Sequence, residues 1–323
     1  MRLAILDDWF DTLRTLPCFG KLDGIDVTVF TDHEPDIDRL VERLQPFDAI
    51  TLFRERTAIP RELIERLPNL KLISQRSVYQ HVDVEACSDH GVVLCSNMGG
   101  VHSTAAAEHT WALMLAAMRD LPAQMDSLKA GNWQMGVGKS VYGRQIGLYG
   151  YGKIGKQMAQ YAAAFGMQVV WWGSEEGRAR AANDGQSVAE SREAFFATSD
   201  VVSLHVRMKP ATRGLITRAD LAAMMPGAVL VNTSRAGLIE DGALLEALNA
   251  GRPGKAAIDV FDEEPITWAD DPLATHPSLV ATPHIGFVTE DELEIQFGDI
   301  FDQVVAWRDG NPIHMINPEA VSR

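Results

Sequence analysis

Basic residues are scarce in this chain. Its 29 Lys and Arg stand against 44 Asp and Glu, a formal net charge of −15. A surface that holds nucleic acid or an anionic membrane needs clustered cations, so neither partner is expected. Cysteine is scarcer still. Cys18, Cys87 and Cys95 form no CxxC or His-rich metal spacing, and an odd number suits a reducing compartment better than a disulfide framework. No apolar run is long enough to span a bilayer. The first residues, Met1 to Asp8, place Asp7-Asp8 where a signal peptide needs its apolar core, so a cytoplasmic protein without bound metal is expected. Internal repeats and low-complexity tracts are lacking too.

What is present is the composition of a soluble globular protein, 46% hydrophobic and 23% charged over 323 residues, enough for two domains. Short apolar strands are predicted at 3–6, 27–30, 49–52, 70–74 and 92–95. Amphipathic helices at 37–44 and 60–67 alternate with them, with Pro60 in a first turn. This is a small α/β unit. An Ala-, Leu- and Met-rich helix over 101–118 follows, capped by Ser103 or Thr104, and its apolar surface predicts packing between domains or subunits. A polar, glycine-containing stretch (129–144) leads to a second alternation. Strands are predicted at 145–149, 168–172, 201–205, 229–232, 255–259 and 279–281, and helices at 154–165, 218–225 and 241–249. So many βα units in sequence predict a doubly wound parallel sheet. A helix from Asp291 should bury Ile295, Ile300, Val304 and Val305.

One turn in the second series carries chemistry. Gly150-Tyr151-Gly152-Lys153-Ile154-Gly155 follows the strand Ile146–Tyr149 and opens an Ala-rich helix. In that context the first Gly permits the turn, the second admits a pyrophosphate, and the third lets helix and sheet approach. The opened helix offers unpaired N–H groups to the phosphates. The next strand should end in an acid for the ribose hydroxyls of NAD, but the position falls on Gly173. Losing that carboxylate removes repulsion toward a 2′-phosphate, with Ser174, Arg178 or Arg180 available to contact one, which favours NADP. Glu175 or Glu176 turned back toward the ribose would restore NAD.

Three later segments leave strands at the carboxyl edge of the same sheet, where ligands bind in open α/β folds. They are Asn232–Gly237, Asp259–Pro265 and Thr282–Gly286. Singly, a loop Arg, a Glu before Pro or a His after Pro is an ordinary surface or structural residue. Together they deliver the groups a 2-oxo-acid reductase needs. Arg235 has the planar fork for a carboxylate, and His284 can pass a proton to or from a carbonyl oxygen. Glu264 beside it would fix its tautomer and support its charge. The other histidines, His109 and His205 among them, are read as structural.

These motifs, with Ala106-Ala107-Glu108 and Thr212–Ile216, resemble the D-isomer-specific 2-hydroxyacid dehydrogenases over nearly the whole chain. The resemblance implies two Rossmann-like domains. A doubly wound cofactor domain (99–288) is inserted in a smaller flavodoxin-like substrate domain built from both chain ends (1–98 and 289–323). It implies a catalytic set of Arg235, Glu264 and His284, with Asp259 on the nicotinamide carboxamide. Cofactor contacts are implied for Thr104, Gly150, Gly152, Lys153, Ile154, Gly155, Ser174, Val206, Arg207, Thr212, Thr233 and Gly286. It further implies a small 2-oxo or 2-hydroxy acid substrate and a homodimer with the 101–118 helix at its interface. Departures remain. Arg207 stands where the family commonly has Pro, and Ser77-Val78-Tyr79, in the substrate loop, replaces a glycine-flanked turn. An NAD(H)-sensing co-repressor-like protein and a phosphonate-oxidising relative are the alternatives; the intact Arg–Glu–His set argues against the first.

Overall fold

The computed structural model describes residues 1–99, 103–266 and 271–322. The chain divides into two compact units, Met1–His102 with Val288–Arg323, and Ser103–Phe287. Among the described residues no helix is long and apolar enough to cross a membrane.

In the first unit, β1 (Arg2–Ile5), β2 (Asp26–Val29), β3 (Ala49–Thr51), β4 (Leu72–Arg76) and β5 (Val93–Asn97) form one parallel sheet. Its order, β2-β1-β3-β4-β5, is the flavodoxin-like one. Covered on both faces, β3 and the first four residues of β4 are buried without alternation, Thr51, Ser74 and Gln75 included. Helix α1 (Ile37–Leu44) begins where Asp36 accepts the Arg39 N–H at 3.0 Å and turns Leu40, Val41 and Leu44 into the core. Two short helices, α2 (Arg61–Glu65) and α3 (Val84–Asp89), complete this layer. Pro60 is the residue before α2, not inside it.

The helix Glu290–Arg308 belongs to this unit and buries Leu293, Phe297, Ile300, Phe301 and Val304. Ile295, expected on that face, is 37% exposed. It lies two residues from both Leu293 and Phe297, about 200° around the helix, so it must point away. Polar bonds fix the helix on the sheet. Ser74 Oγ donates to Ile300 O at 2.9 Å, and Arg76 Nε meets Asp299 Oδ2 at 2.6 Å.

The second unit opens with α4 (Ala105–Arg119) and α5 (Leu121–Lys129). There follow β6 (Gln145–Tyr149), α6 (Lys153–Ala164), β7 (Gln168–Trp172), α7 (Glu175–Asn183), α8 (Arg192–Thr198) and β8 (Val201–Leu204). Then come α9 (Arg218–Ala223), β9 (Val229–Asn232), α10 (Ala243–Asn249), β10 (Lys255–Ile258) and β11 (Leu279–Ala281). The six strands are parallel, in order β11-β10-β9-β8-β6-β7. A single bridge from Trp171 to Val188 stands outside β7 as a remnant seventh strand. With it the sheet has the doubly wound order of dinucleotide-binding domains, with its switch point between β6 and β8.

The expected helix start at Val101 and His102 lies outside the described residues. Within α4, Met114, Ala117 and Met118 sink into the core of their own unit beside Met158 and Val229. Thr104 precedes α4 but makes no side-chain cap, because its backbone (φ −105°, ψ −16°) is already helical rather than extended. The exposed apolar surface lies on the next helix. None of the residues of α5 is buried, and Met125, Leu128, Trp133, Val137 and Tyr142 are all more than half exposed.

Candidate active site

The glycine turn sits at the switch point. Gly150 (φ +113°) occupies a conformation that disfavours side chains, and a Cβ there would stand 2.5 Å from His205 O. A Cβ on Gly155 would meet Gly150 O at 2.7 Å, so this Gly serves the close approach of α6 to its own turn. Gly152 differs: nothing of the chain lies within 4 Å of its missing side chain. Its backbone (φ −112°, ψ −173°) is one any residue adopts. That open space is what a bound pyrophosphate would fill. The N-terminus of α6 has neither a side-chain cap nor an acid in its first turn, leaving the N–H groups of Lys153, Ile154 and Gly155 without intrahelical partners. A dinucleotide fits these residues.

At the end of β7, Gly173 has φ +153°, and a Cβ there would lie 3.5 Å from the Gly150 N–H. Ser174 Oγ caps α7 by accepting the Gly177 N–H at 3.2 Å. Arg178 comes back one turn later, its guanidinium 4.2 Å above the Trp172 ring and Nη1 donating to Gly173 O at 2.8 Å. Arg180 instead lies over Tyr151 at 5.9 Å. Glu175 and Glu176 are exposed in the first turn of α7.

The loop after β8 carries Val206, half-buried, and Arg207, exposed. Thr212 folds it back: its hydroxyl donates to Arg207 O at 2.9 Å and accepts the Lys209 N–H at 2.8 Å. His205 starts the loop, with Nε2 2.9 Å from Ser203 Oγ, and desolvation pushes its pKa down to about 4. It is a neutral structural residue at neutral pH.

The loops after β9, β10 and β11 are neighbours because those strands are neighbours. After β9, Asn232 shapes the turn: its Nδ2 donates to Arg235 O at 2.9 Å and its Oδ1 accepts the Ser234 N–H at 3.1 Å. Arg235 is exposed, with Nη1 on Ser234 O at 2.7 Å. Thr233 Oγ1 lies 2.6 Å from Thr110 Oγ1 on α4. After β10, Glu264 Oε1 accepts the Phe261 N–H at 2.9 Å while Oε2 meets His284 Nδ1 at 2.6 Å. His284, at φ +53°, holds a left-handed conformation that turns its ring out of the strand direction. With Nδ1 held by Glu264, Nε2 is the nitrogen left to face a ligand.

Asp259, 1% exposed, underlies this arrangement. Oδ1 accepts from Thr282 Oγ1 at 2.5 Å and from the Ile285 N–H at 2.9 Å, and Oδ2 accepts the Gly286 N–H at 2.7 Å. Burial alone would raise its pKa, but bonds from His109, Thr282 and Ile285 outweigh it and hold the carboxyl below its ordinary value. Its bonds are spent on the loop that bears His284, a use that reading it as a carboxamide holder did not anticipate. His109, taken as structural, proves to stand beside it. No local sequence signal marks it, because its partner Thr282 lies 173 residues later.

A model of the D-isomer specific 2-hydroxyacid dehydrogenase NAD-binding domain matches residues 111–286. The chain belongs to the D-isomer specific 2-hydroxyacid dehydrogenase family. A D-3-phosphoglycerate dehydrogenase from Methanocaldococcus jannaschii is 36% identical over 257 residues, 79% of this chain and 48% of that protein. The chain thus spans about half the length of such relatives. A glyoxylate reductase from Aeropyrum pernix is 31% identical, covering 92% of this chain and 91% of its own length. Among crystal structures, a Ralstonia solanacearum oxidoreductase matches with TM-score 0.96 at 43% identity, covering all of this chain and 98% of its own. A phosphoglycerate oxidoreductase from Vibrio cholerae matches with TM-score 0.91 at 44% identity, covering 96% and 99%. Both share the two parallel-sheet α/β units with this member of the dehydrogenase family.

In the first unit, the segment expected to be a substrate loop opens on a backbone that suits glycine. Ser77 has φ +76°, a conformation a serine holds at a cost. Its N–H donates to Asn97 O at 3.1 Å and its carbonyl accepts from Ser96 Oγ at 2.7 Å. Val78 follows, half-buried. Tyr79 packs its ring on that unit's apolar core, so its bulk is partly spent away from any ligand.

Proposed function

We propose that the protein is an NAD(P)-dependent D-2-hydroxyacid dehydrogenase, interconverting a small 2-oxo acid and its D-2-hydroxy acid. The observation that carries this reading is the 2.6 Å contact between His284 Nδ1 and Glu264 Oε2, on the loops after β11 and β10, the latter strand being next to β9, whose loop bears Arg235. The bound nicotinamide would supply or accept the hydride. In reduction His284 Nε2–H gives its proton to the carbonyl oxygen, while Glu264 retains Nδ1–H and supports the charge. In oxidation the same nitrogen removes the hydroxyl proton. Arg235 takes the substrate carboxylate through its guanidinium, polarising the adjacent carbonyl. Gly150 to Gly155 cradle the pyrophosphate, with Val206, Arg207, Thr212 and Thr233 on the neighbouring strand ends, and Ser77 and Val78 serve the substrate.

For the cofactor, NADP is favoured. Arg178, held over Trp172 at the end of β7 and bonded to Gly173 O, is a fixed cation where the ribose-binding acid is missing. A second copy of the chain is the proposed partner, covering the apolar side chains of Met125, Leu128, Trp133 and Val137, each more than half exposed in its own unit. Turnover of glyoxylate, hydroxypyruvate, pyruvate and 3-phosphohydroxypyruvate with NADH and with NADPH tests the reading. Reduction of at least one to the D-product supports it. Inertness of all four, with tight binding of a protein partner that depends on NADH, favours the co-repressor-like alternative.

A further inference from the structure

The nitrogen of His109 that faces the strand ends can be assigned its proton. Nε2 lies 2.9 Å from Thr282 Oγ1 and 3.3 Å from Asp259 Oδ1. Thr282 has one hydroxyl proton, and the 2.5 Å contact with Asp259 Oδ1 takes it. The Thr282 oxygen can therefore only accept from the imidazole, and His109 must carry its proton on Nε2. A directed chain results, from His109 Nε2–H to Thr282 Oγ1–H to the Asp259 carboxylate. Each bond in such a chain polarises the next.

The surroundings show what this chain holds. A Cβ on Gly286 would stand 3.0 Å from Asp259 Oδ2 and 3.5 Å from His109 Cδ2, so ring, carboxylate and the Gly286 backbone are in mutual contact. Asp259 in turn accepts from the consecutive N–H groups of Ile285 and Gly286, immediately after His284. The neighbouring α4 residue, Thr110, reaches Thr233 at the end of β9. Two successive residues of one apolar helix thus fasten the loops after β9 and β11. The His109 side chain itself remains 18% exposed, so it is not simply core.

We infer that His109 is a positioning residue for the nicotinamide end of the cofactor site. Through Thr282 and Asp259 it sets the loop that carries His284, without touching the adenine end. The inference rests on the proposed function for the identity of the ligand, and its test does not depend on turnover.

The test titrates full-length wild type, His109→Leu, His109→Gln and Thr282→Val with two pairs of ligands. These are NADH against ADP-ribose, and NADPH against 2′-phospho-ADP-ribose, each pair differing only in the nicotinamide. The expected result for His109→Leu and Thr282→Val is a loss of about tenfold in affinity for the nicotinamide-bearing ligand. Affinity for its nicotinamide-free counterpart stays within about twofold by the same reasoning. Gln, which keeps a donor near the Nε2 position, restores most of the loss. The double variant His109→Leu/Thr282→Val should lose no more than either single one, because both break one chain. Equal losses for both ligands of a pair, additive losses, or no loss at all overturn the assignment. If no 2-oxo acid is turned over, the proposed function fails while these titrations still decide the role of His109.

Discussion

Replacing Asp259 by Asn removes one charge and about one atom's difference in shape, yet the geometry predicts a large effect. The carboxylate accepts Thr282 Oγ1, the Ile285 N–H and the Gly286 N–H, and it is 1% exposed. An amide keeps one acceptor oxygen. If that oxygen takes the Oδ1 place, the new NH2 faces the Gly286 N–H, donor against donor; the reverse orientation opposes Ile285 and Thr282. At least one buried donor is left unmet, costing about 1–3 kcal/mol, and the surviving bonds lose their charge assistance, for a total of about 3 kcal/mol. The loop bearing His284 should loosen, so kcat falls by at least tenfold while the KM for the 2-oxo acid changes less. Urea denaturation across pH supplies a second reading. The folded carboxyl of Asp259 titrates below its ordinary value. Its stabilisation is therefore present above the unfolded pKa, about 3.9, and is lost as pH falls through the lower folded value. The stability gap between wild type and variant should be widest at neutral pH and shrink below about pH 4. A variant with unchanged kcat and an unchanged denaturation midpoint would refute the reasoning.

Other perturbations read the remaining parts. Arg178→Ala should raise the KM for NADPH about tenfold, the worth of one charge-assisted bond, and leave that for NADH within about twofold; equal effects on both would remove the case for a 2′-phosphate contact. Met125→Asp on α5 should convert a dimer into a monomer in light scattering, whereas a wild type that is already monomeric would end the second-copy proposal. Phe297, 1% exposed and packed at 5.0 Å from the Phe53 ring, should cost about 3–5 kcal/mol when changed to Ala. Chemical denaturation checks this, and a loss under about 1 kcal/mol would show that the terminal helix is not fastened there.

The features legible in the sequence share one property: a local pattern that tertiary structure had no reason to override. Strands β6, β7, β9 and β11 are apolar runs bounded by turn residues, and they form where those runs lie. Glycines 150 and 155 are fixed by contacts with their own turn, so their spacing carried the message. Helices α3, α5, α7 and α8 were not legible. In α7 only Gly177 and Ala181 are buried, and in α5 nothing is, so neither shows an apolar stripe at helical spacing. The adjacent Phe195 and Phe196 of α8 match no helical period. The terminal helix was seen, but its face was misread because Ile295 is apolar without being buried. In the site, Arg235, Glu264 and His284 stood out by residue type at strand ends. Asp259 was noticed for another role, because a carboxylate's choice between ligand and loop depends on three partners up to 27 positions away. His109 gave no signal, since its partners lie on a strand end 173 residues later.

The central claim is hydride transfer to C2 with proton delivery by His284. Its most direct test follows deuterium from the nicotinamide C4 of deuterated reduced cofactor into product by mass spectrometry, using the best 2-oxo acid of the panel. Wild type should yield a D-2-hydroxy acid with one deuterium on C2, and His284→Ala should bind the cofactor yet transfer essentially none. Product without deuterium, or full transfer by the His284→Ala variant, would contradict the account.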